Sequence, residues 1–392
     1  MAKRNSGEGV IYHEKQRGFW IYQVSYKDDA GMRKRKKFAA KTKQEAMEKG
    51  RKFLMGQGQV RDNSRINITI GEWVNEWLEN YAKPRIRPRT YEKYASSFKN
   101  YILPQFGKTR LTDINPQILQ KHFNALLNDG GKEKNGLSPS TVGAARRYFA
   151  ECVDDAIKEG LLLSNPVRFT KAPRQHKREI VVLTKDEVLN LTSAAKEINH
   201  PYMKVMMPEL IWLAVNTGMR QGEIFALKWE DVDFEKPCIF VKRSLAHVVG
   251  KGAVFQDTKT KCSRRRILIT SEDIAALKKY KKQQEDYADF LGDKFAWHNL
   301  IFTSPFGYPI SPTNFLRRYF KPLLQKCRIS EDFTFHGLRH THATFLLQKG
   351  VNPKIVQERL GHSSIKETMD TYSHVLPDMQ MQAVTAIEDL FS

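Results

Sequence analysis

Cysteine is scarce: four residues, Cys152, Cys238, Cys262 and Cys327, in a chain of 392. None forms a Cys-x-x-Cys pair, so neither a disulfide framework nor a thiolate zinc site is expected, and a reducing cytoplasm is the default compartment. Long apolar runs are missing as well. The longest, Leu210 to Val215, has six residues, against the roughly 18 that a membrane-spanning helix needs. Met1-Ala2-Lys3-Arg4-Asn5 leads into no apolar stretch of the secretory kind, so membrane and secreted classes are disfavoured. Acidic residues are in deficit, 43 Asp and Glu against 65 Lys and Arg, for a formal net charge of +22. No phosphate-binding glycine loop is present and no metal-binding cluster of carboxylates is apparent, so neither ATP-driven nor two-metal chemistry is expected, and no cofactor.

What is present is positive charge, which draws polyanions, and nucleic acid is the commonest of these. Residues 1–65 hold 17 Lys and Arg against 7 Asp and Glu. Their pattern is strand, strand, strand, helix: Gly9 to His13, Trp20 to Tyr26, turn residues at 28–31, Arg33 to Phe38, then a capping box at Thr42 and Glu45 opening a helix to about Leu54. The third strand carries Arg33, Lys34, Arg35, Lys36 and Lys37, and alternation sets Lys34 and Lys36 on one face and Arg33, Arg35 and Lys37 on the other. A small sheet backed by one helix can present such a face to a DNA groove.

Residues 56–66 read as a linker. Beyond it Ile70, Trp73, Val74, Trp77, Leu78 and Tyr81 follow helical spacing behind a Thr69–Glu72 capping box, and these aromatics read as core. Pro84 and Pro88 interrupt, a second helix follows through Tyr91 to Ile102, a third spans Leu111 to Leu127, and a fourth is capped by Ser140 and stopped at Gly160. Arg85, Arg87 and Arg89, with Arg146 and Arg147, are this helical domain's candidate phosphate contacts. A basic stretch at 171–179 leads to a larger mixed domain, opened by a Thr184–Glu187 capping box, with a long helix to about Val215 and short strands near 238–242, 253–257 and 265–269. The fold class is thus multidomain α+β: a three-stranded sheet with a helix over 1–60, a four-helix domain over 66–170, and a mainly helical domain with a small antiparallel sheet over 180–392.

Four patterns in the last domain carry chemistry. In Thr217-Gly218-Met219-Arg220-Gln221-Gly222-Glu223 a guanidinium sits between glycines after an apolar helix, a fork suited to phosphate oxygens. Lys259, in a hairpin ahead of Arg264, Arg265 and Arg266, can hand a proton to a leaving oxygen if its cationic neighbours lower its pKa; Lys261 is two residues away on the same face. In Phe335-His336-Gly337-Leu338-Arg339-His340, His336 and Arg339 share a helix face, a phosphate-gripping pair. His336, His340 and His342 also contain a zinc-like i, i+4 spacing, but Arg339 between them repels a cation and the metalloprotease glutamate is missing, so no metal is expected. Last come Leu360-Gly361-His362 and, ten residues on, Tyr372, a nucleophile if a basic pocket activates it.

Taken in order, Arg220, Lys259, His336-x-x-Arg339, Leu360-Gly361-His362 and Tyr372 resemble the tyrosine recombinase (phage integrase) family, and the layout resembles integrases of phages and integrative conjugative elements with an arm-binding N-terminal domain and a helical core-binding domain. The resemblance implies a site-specific recombinase acting on double-stranded DNA at core-type and arm-type sites. Arg220 and Arg339 would clamp the phosphate, Tyr372 would form a 3′-phosphotyrosyl link, Lys259 would protonate the leaving 5′ oxygen, His336 would assist proton transfer, His362 would hydrogen-bond the phosphate and Glu223 would orient Arg220. It also implies a homotetramer on DNA, an excisionase and a host DNA-bending protein. The tail, 376–392, has helical apolar spacing and either packs on its own domain or docks on a neighbouring protomer. The same active-site pattern resembles type IB topoisomerases, and a non-catalytic DNA-binding regulator is the alternative of another class.

Overall fold

The structure, a computed structural model, describes residues 10–14, 18–27, 32–57, 67–131, 135–175, 180–248, 250, 252–257, 263–372, 384, 387–389 and 391. The chain divides into two compact units, 1–176 and 177–392.

The first unit begins with an antiparallel sheet of β1 (Val10–Glu14), β2 (Phe19–Lys27) and β3 (Arg33–Ala40), followed by α1 (Lys43–Gln57). Thr42 accepts from the Glu45 amide at 3.2 Å and starts that helix. The helix runs through Gly56 and Gln57, which the sequence reads as linker. Pairing of Tyr22 with Phe38 and of Val24 with Lys36 fixes the register. Phe53 of α1 meets Tyr26 and Phe38, and Lys36 lies over the Phe53 ring at 4.0 Å. The helix therefore packs on the face of Lys34 and Lys36, and Arg35 and Lys37 project from the opposite face; all four side chains stay exposed.

The helical part of this unit comprises α2 (Ile70–Trp77), α3 (Pro88–Ser97), α4 (Leu103–Phe106), α5 (Pro116–Asp129) and α6 (Pro139–Lys158). A π turn over Leu78–Ala82 continues α2, so the stripe from Ile70 to Tyr81 is one amphipathic rod with a widened end. Its hydrophobic core centres on Trp73, Trp77, Phe98, Phe123 and Phe149. Both buried indoles find acceptors, Trp73 Nε1 donating to the Cys152 carbonyl at 3.0 Å and Trp77 Nε1 to Asp155 at 2.9 Å. Two helix starts differ from the sequence reading for one reason. Proline suits the first helical position, so the cap is the residue before it: Ser138, not Ser140, caps α6 ahead of Pro139, and Asn115 caps α5 ahead of Pro116, leaving Leu111–Asp113 as a separate 3₁₀ turn.

The second unit opens with α7 (Lys185–Ala195), on the Thr184–Glu187 capping box, then α8 (Met203–Thr217) and the single turn α9 (Gln221–Ile224). Strands β4 (Val232–Asp233), β5 (Cys238–Val241) and β8 (Arg265–Leu268) form one antiparallel sheet, and β6 (Arg243–Val248) pairs with β7 (Gly252–Asp257) in a hairpin. Strands β4 and β6 lie outside the sequence reading; β6 mixes Arg243, Ser244 and His247 among its apolar residues and gives no clean alternation. Helices α10 (Ser271–Leu291), α11 (Pro312–Phe315), α12 (Lys321–Lys326), α13 (Phe335–Gln348), α14 (Pro353–Leu360) and α15 (Ile365–Tyr372) complete it. Helix α8 is apolar nearly all round and is the spine of the core, as its buried Met206, Met207, Leu210, Ile211 and Ala214 require. Tyr372 belongs to a smaller cluster with Ala343, Leu347, Val356 and Leu360. Among the described residues no helix is long and apolar enough to cross a membrane.

Candidate active site

Two helices end on left-handed glycines, and those ends hold the arginines. Helix α8 stops at Gly218, φ +62°, and α14 at Gly361, φ +70°. The last carbonyls of a helix lack intrahelical donors and carry partial negative charge. Arg339 Nη1 donates to the carbonyls of Gly218 and Leu360, both at 2.9 Å, and Arg220 Nη2 donates to Gly361 at 3.1 Å. Gly218 has no room for a side chain: an added Cβ would lie 2.5 Å from the His342 ring.

Glu223 ties the remaining donors together. It accepts from the Arg220 backbone amide at 2.9 Å, from Arg220 Nη1 at 3.0 Å and from Arg265 Nη2 at 2.9 Å. Burial pushes its pKa up, but Arg265 and Arg220 pull it further down, so the carboxyl stays below its ordinary value. Arg265 in turn donates through Nε to the Arg359 carbonyl at 2.7 Å. Two guanidiniums, of Arg220 and Arg265, thus share one carboxylate, and Arg339 is held beside them by the two helix-end carbonyls. Arg339 is only 2% exposed, and its Nη2 is buried with no hydrogen-bond partner among the described residues. Burial and the neighbouring Arg220 push its pKa down to about 9.

The histidines separate by function of place. His336 is exposed, and its pKa is lowered by partial desolvation and then by Arg339 and Arg220. His362, buried after α14, has Nδ1 2.8 Å from Thr368 Oγ1; burial and then Arg339 hold it neutral, so Glu367 at 3.9 Å is no ion-pair partner at neutral pH. His342 turns away, with Nδ1 2.6 Å from the Val215 carbonyl, while Arg359 donates to its Nε2 at 3.2 Å. The zinc-like spacing therefore does not converge, and among the described residues no group of three His, Cys, Asp or Glu side chains could hold a metal. His340 Nδ1 lies 2.6 Å from Tyr372 Oη, and the His336 and His340 rings meet edge to face at 4.8 Å. Tyr372 is 2% exposed, and burial drives its pKa up to about 12, opposed in part by Arg339.

The structure thus brings Arg220, Glu223, His336, Arg339, His362 and Tyr372 to one site. Lys259 and its neighbour Lys261 fall outside the described residues, between the end of β7 and the start of β8. The tail after Tyr372 also lies largely outside them. Arg265 and His340 are site residues that sequence reasoning misses. Alternation could find Arg265, because it shares a strand face with Ile267, which is 1% exposed. His340 enters the sequence reading only through the zinc-like spacing, and nothing local distinguishes it. Of the candidate DNA contacts, Arg87 and Arg89 are exposed at the start of α3, and Arg147 is exposed beside the Tyr148 ring. Arg85 pairs with Glu151 and Asp155, and Arg146 donates to Thr170 Oγ1 and to the Thr170 carbonyl, so both serve inside their own unit. The Arg33 side chain lies outside the described residues; its backbone pairs with Lys27.

Comparison with known proteins finds relatives along nearly the whole chain. Residues 181–379 match the phage integrase family, and residues 69–127 match the phage integrase N-terminal SAM-like domain. A "tyrosine recombinase XerC-like" protein of Caldanaerobacter subterraneus subsp. tengcongensis is 31% identical over 380 residues, 93% of this chain and 94% of its own. Among solved structures, the Tn1549 transposon integrase in complex with transposon right end DNA superposes with a TM-score of 0.67 at 22% identity, covering 83% of this chain and 100% of its own. A lambda integrase tetramer bound to a Holliday junction covers 91% of this chain and 96% of its own, with a TM-score of 0.55 at 23% identity. With a family match across more than half its length and a relative alike along nearly all of it, the chain belongs to the phage integrase family, the tyrosine recombinases, and is a DNA-cleaving and rejoining enzyme.

Proposed function

We propose that this recombinase integrates and excises a mobile element by breaking DNA through Tyr372. The phenolic oxygen attacks the scissile phosphorus, the 3′-phosphotyrosyl bond forms, and the bond to the 5′ oxygen breaks to leave a hydroxyl. Arg220 and Arg339 take the non-bridging oxygens and the charge that builds on them. Lys259 protonates the leaving oxygen, with His336 assisting and His362 donating to the phosphate. Glu223 keeps Arg220 in place. One ester replaces another of similar energy, so the 5′ hydroxyl of a second strand can reverse the step without a nucleotide cofactor. The observation that carries this reading is the buried, unpartnered Nη2 of Arg339, a charged donor suited to a phosphate oxygen beside the Tyr372 pocket. Residues 1–60 would bind arm-type sites, 66–170 core-type sites, and 180–392 would cut, the working unit being a tetramer on DNA assisted by an excisionase and a host bending protein. The lambda integrase tetramer bound to a Holliday junction supports the tetramer alone. The place of action is the host cytoplasm, at the nucleoid.

The test is covalent trapping on a nicked duplex taken from beside the protein's own gene. A protein–DNA adduct that survives denaturation and vanishes in Tyr372→Phe is the expected result. Binding without an adduct on any such site would favour a regulator, and an adduct with relaxation but no strand exchange would favour a topoisomerase.

A further inference from the structure

We propose that His340 is the general base that takes the proton from Tyr372 as the phenol attacks phosphorus. The inference rests on Tyr372 being the nucleophile. A buried phenol cannot lose its proton to water, and Tyr372 is 2% exposed. Its hydroxyl lies 2.6 Å from His340 Nδ1, within reach for direct transfer. The groups facing His340 are His336 and Arg339 on its own helix, His362 from the turn after α14, and Tyr372 on α15. Burial first, then His336, Arg339 and His362, push its pKa down to about 4, so the free protein keeps the ring neutral with a lone pair to offer. A phosphate bound between Arg220 and Arg339 would offset those positive charges and raise the basicity of His340 when the substrate arrives. The step then balances: the Tyr372 proton moves to Nδ1, the oxygen–phosphorus bond forms, the bond to O5′ breaks, and O5′ takes its proton from a different group. His336, which is exposed, meets the half-buried His340 ring edge to face.

The decisive variant is His340→Asn, whose amide occupies the place of Nδ1 and keeps a hydrogen bond to Tyr372 but takes no proton near neutral pH. Single-turnover cleavage of the nicked duplex is expected to fall about 10²-fold or more, with DNA affinity unchanged. A 5′-bridging phosphorothiolate, whose leaving sulfur needs no acid, should not restore the rate. A more acidic fluorotyrosine at position 372 should restore part of it. Cleavage within about threefold of the parent, or full rescue by the phosphorothiolate, overturns the proposal, since general bases contribute roughly 10²–10⁴ and rescue would put His340 on the leaving group. If Tyr372→Phe still forms the adduct, the nucleophile assignment fails instead. Nitrogen NMR of the histidine-labelled chain decides the same point by the protonation state of Nδ1 in the unmutated protein. An unprotonated Nδ1 supports the base, and a protonated Nδ1 overturns it.

Discussion

Replacing Gly218 by alanine tests whether the end of α8 is the seat of Arg339. Two independent costs can be read from the structure. The left-handed φ of +62° penalises an L-residue by roughly 1–2 kcal/mol. The new methyl would also lie 2.5 Å from His342 Cδ2 and 2.8 Å from Leu360 Cδ2, and overpacking of that kind adds about 1–3 kcal/mol. Gly218→Ala should therefore destabilise the C-terminal unit by about 2–5 kcal/mol. Gly350 supplies the control. Its φ is +76° and no described atom lies within 4 Å of its missing Cβ, so Gly350→Ala should cost only about 1–2 kcal/mol. Urea titration of the full chain, followed by circular dichroism, measures both. Relief of the clash must also push the Gly218 carbonyl away from Arg339 Nη1, so cleavage should fall more than DNA binding in Gly218→Ala and neither should change in Gly350→Ala. Equal destabilisation by the two substitutions, or unchanged cleavage in Gly218→Ala, would refute the reasoning.

Glu223→Gln keeps the shape but removes the carboxylate that Arg220 and Arg265 share; a loss of about 3–5 kcal/mol is expected in the same titration, and a change within about 0.5 kcal/mol, the scatter of a neutral surface substitution, would contradict it. Stability should also fall with acid. His342 has a folded pKa pushed down to about 3 from an ordinary 6.5, so its stabilising effect is complete above 6.5 and is lost as the pH falls through that window, where the unfolded chain binds the extra proton. His342→Gln should flatten the unfolding midpoint over that range, and an unchanged slope would show that other groups dominate. At the other end of the chain, Arg35→Ala with Lys37→Ala should reduce the slope of log affinity against log salt for arm-type DNA by about 2, whereas an unaltered slope would take the open sheet face off the DNA.

Much of the fold is legible because the relevant signals are local. The Thr69–Glu72 and Thr184–Glu187 boxes start helices where their spacing says they should, since a capping box needs only four consecutive residues. The stripe from Ile70 to Tyr81 can be assigned to the core for the same reason. Proline misleads at Ser140 because its preference for the first helical turn moves the cap by two residues. The site is another matter. His336 and Arg339 share a face by helical geometry alone, but Arg265 reaches Glu223 across 42 positions and His340 reaches Tyr372 across 32, and no periodicity encodes such contacts. Arg85 and Arg146 have internal partners that no local pattern announces: a basic residue in a basic protein can also hold its own carboxylates and carbonyls.

The unpartnered Nη2 of Arg339 has a consequence for the lifetime of the protein. A buried guanidinium with an idle donor weakens the fold that holds it, by about 1–3 kcal/mol for an unmade hydrogen bond. An anion seated between the arginines removes that deficit, so occupancy of the site and folding are linked, and DNA stabilises the folded state by an amount that grows with the logarithm of its concentration over its dissociation constant. The free recombinase is then the perishable form and the DNA-bound one the durable form. In a cell that degrades what unfolds, the standing amount of this protein would follow the number of its binding sites as well as the rate of its synthesis.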